Sequence, residues 1–184
     1  MKKTVWTFGL ISGVILSAMM AITVPFQHSI GSDRALVIGY TTMVLAFLLI
    51  FFGIKSYRDN VAGGRISLGR AFTVGALIAL ISSLCYVATW EVIYFNFMPD
   101  FLVQYQAHQI EAMRASGAPQ AQIDKQVADN KVMAERYKNP IFNAAFTLIE
   151  PLPVGLLIAF VSAAVLRRRK REEQLVMSPS TATQ

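Results

Sequence analysis

Charge is scarce in this chain of 184 residues: 15% are Asp, Glu, Lys or Arg, 54% are hydrophobic, and the mean hydropathy is +0.47. So few charges exclude an ordinary soluble domain, where about a quarter of residues are charged. Cysteine is scarcer still. Cys85 is alone, which excludes an intramolecular disulfide and leaves it as a small apolar residue at a helix contact. The two histidines, His28 and His108, have no acid cluster at metal-ligand spacing beside them, so no metal site is expected. No nucleophile stands with a base beside it, and neither a catalytic residue nor a cofactor is assigned. The glycines of AGGRISLGRAF lack the lysine-serine ending of a phosphate loop and follow an apolar helix instead of a strand. They read as a tight turn with Ser67 capping the next helix.

What the chain does have is long apolar runs. Four of them, approximately 4–24, 35–54, 71–98 and 141–166, reach the roughly 20 residues that a helix needs to cross a hydrocarbon core about 30 Å thick. The first follows Lys2 and Lys3, as a signal peptide would. Its length and the absence of a clean A-x-A site in SAMMAITVP make it an uncleaved first span. The fold class expected is all-α: a polytopic membrane protein whose four transmembrane helices form an antiparallel bundle over residues 1–168.

The net charge of +6 does not mark a nucleic-acid partner, because its positions follow a membrane pattern. Basic residues cluster before span one (Lys2, Lys3), between spans two and three (Lys55, Arg58, Arg65, Arg70) and after span four (Arg167, Arg168, Arg169, Lys170, Arg171). Short cytoplasmic loops carry such an excess, so both termini are placed in the cytoplasm. The run RRRKREE is read as the anchor of span four, and residues 169–184 as a disordered cytoplasmic tail. On the other side, PFQHSIGSDR is short, and residues 99–140 carry five basic and five acidic residues. That long loop divides at SGAP into two helical patterns, Asp100 to Ala115 and Pro119 to Tyr137, and YKNP separates the second from span four. The expectation is an external helical hairpin between spans three and four, capping the bundle.

Close helix approach in lipid relies on small residues at spacings of four. Span one offers Gly9, Gly13, Ser17 and Ala21, span three Gly75, Ala79 and Ser83, and span four Gly155, Ala159 and Ala163. These rows serve either a compact bundle or a dimer face. Trp6, Tyr57, Trp90 and Tyr94 lie near span ends and read as interfacial anchors.

Glu91 and Glu150 are the only charges well inside the spans, and each costs about 2.5–3.5 kcal/mol at a bilayer centre unless it finds a partner. At the helical rise, Glu150 lies roughly 14 Å below the outer surface. Glu91 falls in the same half, so the two acids are expected at a similar level. No Lys, Arg or His of the chain lies there, so hydroxyls, amides, water or a proton must satisfy them. Asn143 and Thr147 share the helix face of Glu150, and Tyr94 shares that of Glu91. Pro151 and Pro153 deprive the carbonyls of Thr147 and Ile149 of their helical donors, which kinks span four beside the acid. Glu91, Tyr94, Asn143, Thr147 and Glu150 are therefore a candidate intramembrane polar site. It serves either to lock two helices or, as broken helices do in transporters, to bind a cation or relay a proton.

The stretches GGRISLGRAFTVGALIALISS, FMPDFLVQYQ, YKNP and IEPLPVGLLIAFVSAAVL, set in four spans, resemble the bacterial membrane-protein family called domain of unknown function 4199, over about residues 5 to 168. The resemblance implies an integral protein of the bacterial inner membrane with four helices, no established activity and no catalytic residue to carry over. Two functions follow as expectations. One is a non-enzymatic structural or partner-binding module that contacts the lipid bilayer and a second copy or another membrane protein, with the hairpin as recognition surface. The other is a small transporter or proton- or cation-coupled carrier using Glu150 and Glu91.

Overall fold

The computed structural model describes residues 1–24 and 32–167; the tail and most of the loop after the first span, with His28, lie outside the described residues. Seven α-helices of eight residues or more run in chain order, and no strand occurs among the described residues: α1 Lys2–Thr23, α2 Ser32–Asn60, α3 Leu68–Asn96, α4 Phe101–Ala115, α5 Gln120–Tyr137, α6 Pro140–Leu148 and α7 Pro151–Leu166. Four stretches are long and apolar enough to cross a membrane: Lys2–Thr23, Val37–Asn60, Leu68–Asn96 and Pro140–Leu166, the last made of α6 and α7. The helices outrun the apolar runs on the basic side. Helix α2 continues past Ile54 to Asn60 because Tyr57 is still buried in the core one turn further on. Helix α3 starts at Leu68, where Ser67 accepts the Arg70 N–H at 3.4 Å as an N-cap.

The central helix is α3, which packs against α1, α2, α6 and α7. Its contact with α1 is made by the small-residue row. A Cβ added to Gly13 would stand 2.7 Å from Cys85 Cβ, and one added to Gly9 2.9 Å from Ile81 Cβ, so no side chain fits between these backbones. That proximity brings Ser82 Oγ within 3.0 Å of the Gly9 carbonyl, and lets Thr89 Oγ1 donate to Ser17 Oγ (2.8 Å) and Ser17 Oγ to the Cys85 carbonyl (3.3 Å). On its other side α3 meets α7 through Gly75 against Ala159 and Ala79 against Gly155, where an added Cβ would lie 2.9 and 2.8 Å from its neighbour. Small residues thus act as the seam on both sides of α3, which is how helices gain dispersion contact where lipid supplies no hydrophobic drive. Phe47, Ile50, Ile54, Val74 and Ile78 fill the space between the seams.

The aromatic residues depart from expectation. Trp6 is 56% exposed, as an interfacial residue would be, but Tyr57, Trp90 and Tyr94 are buried. Their distance from the span ends put them at the interface; the helix face on which they sit turns them inward.

The expected hairpin is present as α4 and α5, which pack on each other and reverse at Gly117, with φ +73°. Ile110 of α4 and Ile123 of α5 are buried.

A side chain larger than alanine at the α3–α7 seam must push the helices apart. Gly155→Leu is expected to lower the thermal unfolding midpoint in detergent by several degrees, whereas Gly39→Ala, where a Cβ meets nothing within 4 Å and alanine suits a helix interior better than glycine, does not lower it. Equal midpoints for the two variants would refute the seam.

Candidate functional site

The site is built around the joint between α6 and α7. Asn139 begins it: its side chain accepts from the Ile141 and Phe142 N–H groups at 2.9 and 3.4 Å, with Pro140 in the first helical position. This cap starts α6 directly after Tyr137 and fixes which face it turns to α3. Helix α6 stops at Leu148 and α7 starts at Pro151, leaving Ile149 and Glu150 as a two-residue joint. Of the two carbonyls expected to lose their donors, that of Thr147 finds a new one. The Glu150 N–H reaches it at 3.3 Å, and the Ile149 N–H reaches Phe146 O at 3.2 Å, both in the tighter i to i−3 pattern. Proline also removes donors that a helix start would leave without partners. With Pro151 and Pro153 in the first turn of α7, two such N–H groups do not exist.

Two rows of side chains face one another across α3 and α6. On α3, Tyr86, Trp90 and Tyr94 recur every four residues; on span four, Asn143, Thr147 and Glu150 recur at four and three. Trp90 Nε1 donates to Asn143 Oδ1 at 3.0 Å, and Thr147 Oγ1 donates to the same oxygen at 3.3 Å. Asn143 Nδ2 in turn donates to the Tyr137 carbonyl at 3.5 Å. Because the single Thr147 hydroxyl proton goes to Asn143, the Tyr137 hydroxyl, 3.4 Å away, is the donor in the Tyr137–Thr147 pair. Asn143 is 0% exposed, and this network supplies the partners its burial demands. Burial pushes the Tyr137 phenol above its ordinary pKa, which keeps it in the neutral, donating form. Rings complete the wall: Tyr94 packs edge-on to Tyr137 with centroids 5.2 Å apart, and Trp90 edge-on to Phe101 at 5.1 Å.

Glu150 is set apart from that network. Its carboxylate accepts from the Tyr86 hydroxyl at 3.1 Å, and Tyr86 is its one hydrogen-bond partner among the described residues. Both line a partly open cavity of about 370 Å³ bordered by the end of α1 (Met19, Met20, Thr23), the start of the second span (Tyr40, Met43), α3 (Tyr86, Trp90), α4 (Phe101, Tyr105), Tyr137, and Phe146 with Thr147; Glu150 itself is exposed at its edge.

Of the five residues expected to form a polar site, Asn143 and Thr147 share one network, Glu150 lies one turn further along and Tyr94 contributes ring packing. Glu91 stands elsewhere. One residue beyond Trp90, it is turned by about 100° from the face that meets α6; it does not line the cavity and has no hydrogen bond to Glu150. One of its oxygens, Oε1, is buried without a hydrogen-bond partner among the described residues. Sequence reasoning missed Tyr86 and Tyr137, and read Trp90 first as an interfacial anchor. The signal was present as an aromatic every fourth residue from 86 to 94, which marks one helix face as surely as a row of glycines does.

The family model described as "Protein of unknown function (DUF4199)" matches residues 7–168. The chain belongs to this family. Its matched region takes in the first apolar span from residue 7 onward, the other three in full, both helices of the hairpin, the joint at Glu150 and every described residue lining the cavity. No curated protein and no solved structure matches the chain.

If Trp90 is the donor that anchors Asn143, Trp90→Phe leaves a buried amide oxygen short of a partner at a cost of about 1–2 kcal/mol. The double variant with Asn143→Leu should then cost less than the sum of the single changes. Chemical unfolding in micelles measures this cycle; strict additivity would mean that the hydrogen bond contributes nothing.

Proposed function

We propose that the protein is a non-enzymatic binding module of the bacterial cytoplasmic membrane, with both termini in the cytoplasm and the α4–α5 hairpin on the opposite side. The observation that carries this reading is the cavity at the foot of the hairpin. At about 370 Å³ it is within the range of small-molecule sites, roughly 300–1,000 Å³, and like them it is mostly apolar with a few convergent polar groups. Phe101, Leu102 and Tyr105 of α4 and Tyr137 of α5 are part of its wall, so whatever fills it touches the hairpin, the part of the chain best placed to meet a second copy or another membrane protein. The reading as non-enzymatic rests on the lining: one carboxylate bound to a tyrosine, with no histidine and no cysteine beside it among the described residues.

The test is a photo-crosslinking residue in place of Tyr105, with Val103, which does not line the cavity, as control. In native membranes, position 105 should yield a discrete adduct, of a small ligand or a protein, that position 103 does not. A protein recovered without adducts from either position would overturn the reading.

A second reading, a small cation- or proton-coupled carrier, is favoured by one observation: Glu150 sits in the cavity at a point where the spanning helix is interrupted. A carrier predicts that Glu150→Gln abolishes flux in proteoliposomes while insertion and folding persist. Because Glu91 is outside the cavity, Glu91→Gln should leave that flux unchanged. Loss of folding in Glu150→Gln would instead assign the acid to the architecture.

A further inference from the structure

The cavity has a composition that selects among ligands. Among the described residues eighteen line it; seven are aromatic and three are methionine, and Glu150 is the only one of them that carries a formal charge. No Lys, Arg or His is among these described lining residues. An anion would meet a carboxylate and no counter-charge. A zwitterionic lipid headgroup would bring a phosphate for which the described lining has hydroxyl donors but no cationic side chain. A hydrated metal ion needs about six oxygen ligands, most of them from carboxylates, carbonyls or water, and a described lining with a single carboxylate does not supply that set. What remains is a ligand with one positive charge and an apolar body. Aromatic faces attract such a cation through their quadrupoles and are most effective where water is excluded, and methionine adapts its shape to whatever apolar body enters.

Resting on the reading of this cavity as a binding site, we propose that it takes an apolar organic monocation, a substituted ammonium, with the positive centre at Glu150 and the hydrophobic body among the rings of α3 and α4. Tyr86 is the positioning residue. By donating to one carboxylate oxygen at 3.1 Å, it fixes the side chain while leaving most of the acceptor capacity of an ionised carboxylate, about four lone-pair sites, for the ligand. The joint at Ile149–Glu150 explains why the acid can serve. The break ends α6 one residue beyond Thr147, so the Glu150 carboxylate is not drawn into the network of Asn143 and Thr147, and its one hydrogen bond among the described residues is the one from Tyr86.

The probe pair is benzyltrimethylammonium and its neutral isostere neopentylbenzene, which differ only in nitrogen against carbon at the branched centre. Binding is measured by equilibrium dialysis of the full chain in phosphatidylglycerol nanodiscs, with empty discs subtracted. Saturable binding of the ammonium is expected, at least tenfold tighter than that of the isostere. It should weaken tenfold or more in Glu150→Gln, a change of nearly equal size, and should be unaffected in Glu91→Gln; far-ultraviolet circular dichroism confirms that each variant is folded. Should Glu150→Gln unfold, Tyr86→Phe provides the second test, with a smaller loss of ammonium affinity and none for the isostere. Equal affinity for the two probes, with both lost in Gly39→Trp, which fills the cavity from a position where an added Cβ meets nothing within 4 Å, would keep the binding site and overturn its preference for a cation. Competition by phosphatidylethanolamine in the discs would assign the site to a lipid headgroup and likewise overturn the proposal. Saturable binding of neither probe would overturn the cation and leave the Tyr105 crosslink to decide the binding site on its own.

Discussion

A hydrocarbon layer offers no hydrogen-bond partner, so each polar group between residues 140 and 166 has to be matched inside the protein or left out of the chain. Span four uses both means. Proline deletes two N–H groups at the start of α7, and a tightened turn gives the Thr147 carbonyl the Glu150 N–H in place of the one that Pro151 lacks. Asn143, wholly buried, is matched by an indole, a hydroxyl and a backbone carbonyl drawn from three different elements. These matches fix where α6 sits against α3, and therefore where the joint opens and which way Glu150 points.

The same matches tie the hairpin to the membrane domain. Tyr137 ends α5 and also touches α6 through its carbonyl and its hydroxyl, while Phe101 at the start of α4 packs against Trp90. Both ends of the hairpin are thus fastened to the polar and aromatic rows that surround the cavity. Trp90, Tyr137 and Phe101 are at once part of the cavity's wall and part of the contacts that fasten the hairpin.

Much of this was legible in the sequence, and the reasons differ by element. The spans follow from apolar length, the hairpin from Gly117, Pro119 and Pro140, and the seams from small residues every four positions. Each of these is a property of one segment. The partner of Glu150 is a property of two. Periodicity places Asn143, Thr147 and Glu150 on one face, but the rotation of α3 about its own axis decides whether Tyr86 or Glu91 meets them, and a sequence carries that rotation only through its packing. Gly75 and Ala79 against Ala159 and Gly155 set it, and the consequence is that the aromatic row, not the acid, turns toward span four. The burial of Tyr57, Trp90 and Tyr94 has the same origin: distance from a span end says how deep a residue lies, while the face says whether lipid or protein receives it.

The two intramembrane acids show how far apart such rotation can drive chemically equal groups. Glu91 and Glu150 are each one carboxylate in an apolar span, and composition makes no distinction between them. Glu91 has a buried oxygen with no hydrogen-bond partner among the described residues, and it does not line the cavity that Glu150 borders. Glu150 accepts one hydrogen bond from Tyr86 and faces an aromatic space large enough for a small molecule. A group that is satisfied entirely by its own protein has nothing left to offer a ligand, and a group with no partner at all is not held in place. Glu150 is between those limits: it is held by one hydroxyl and is otherwise open, which is the condition for recognising something that the chain itself does not contain.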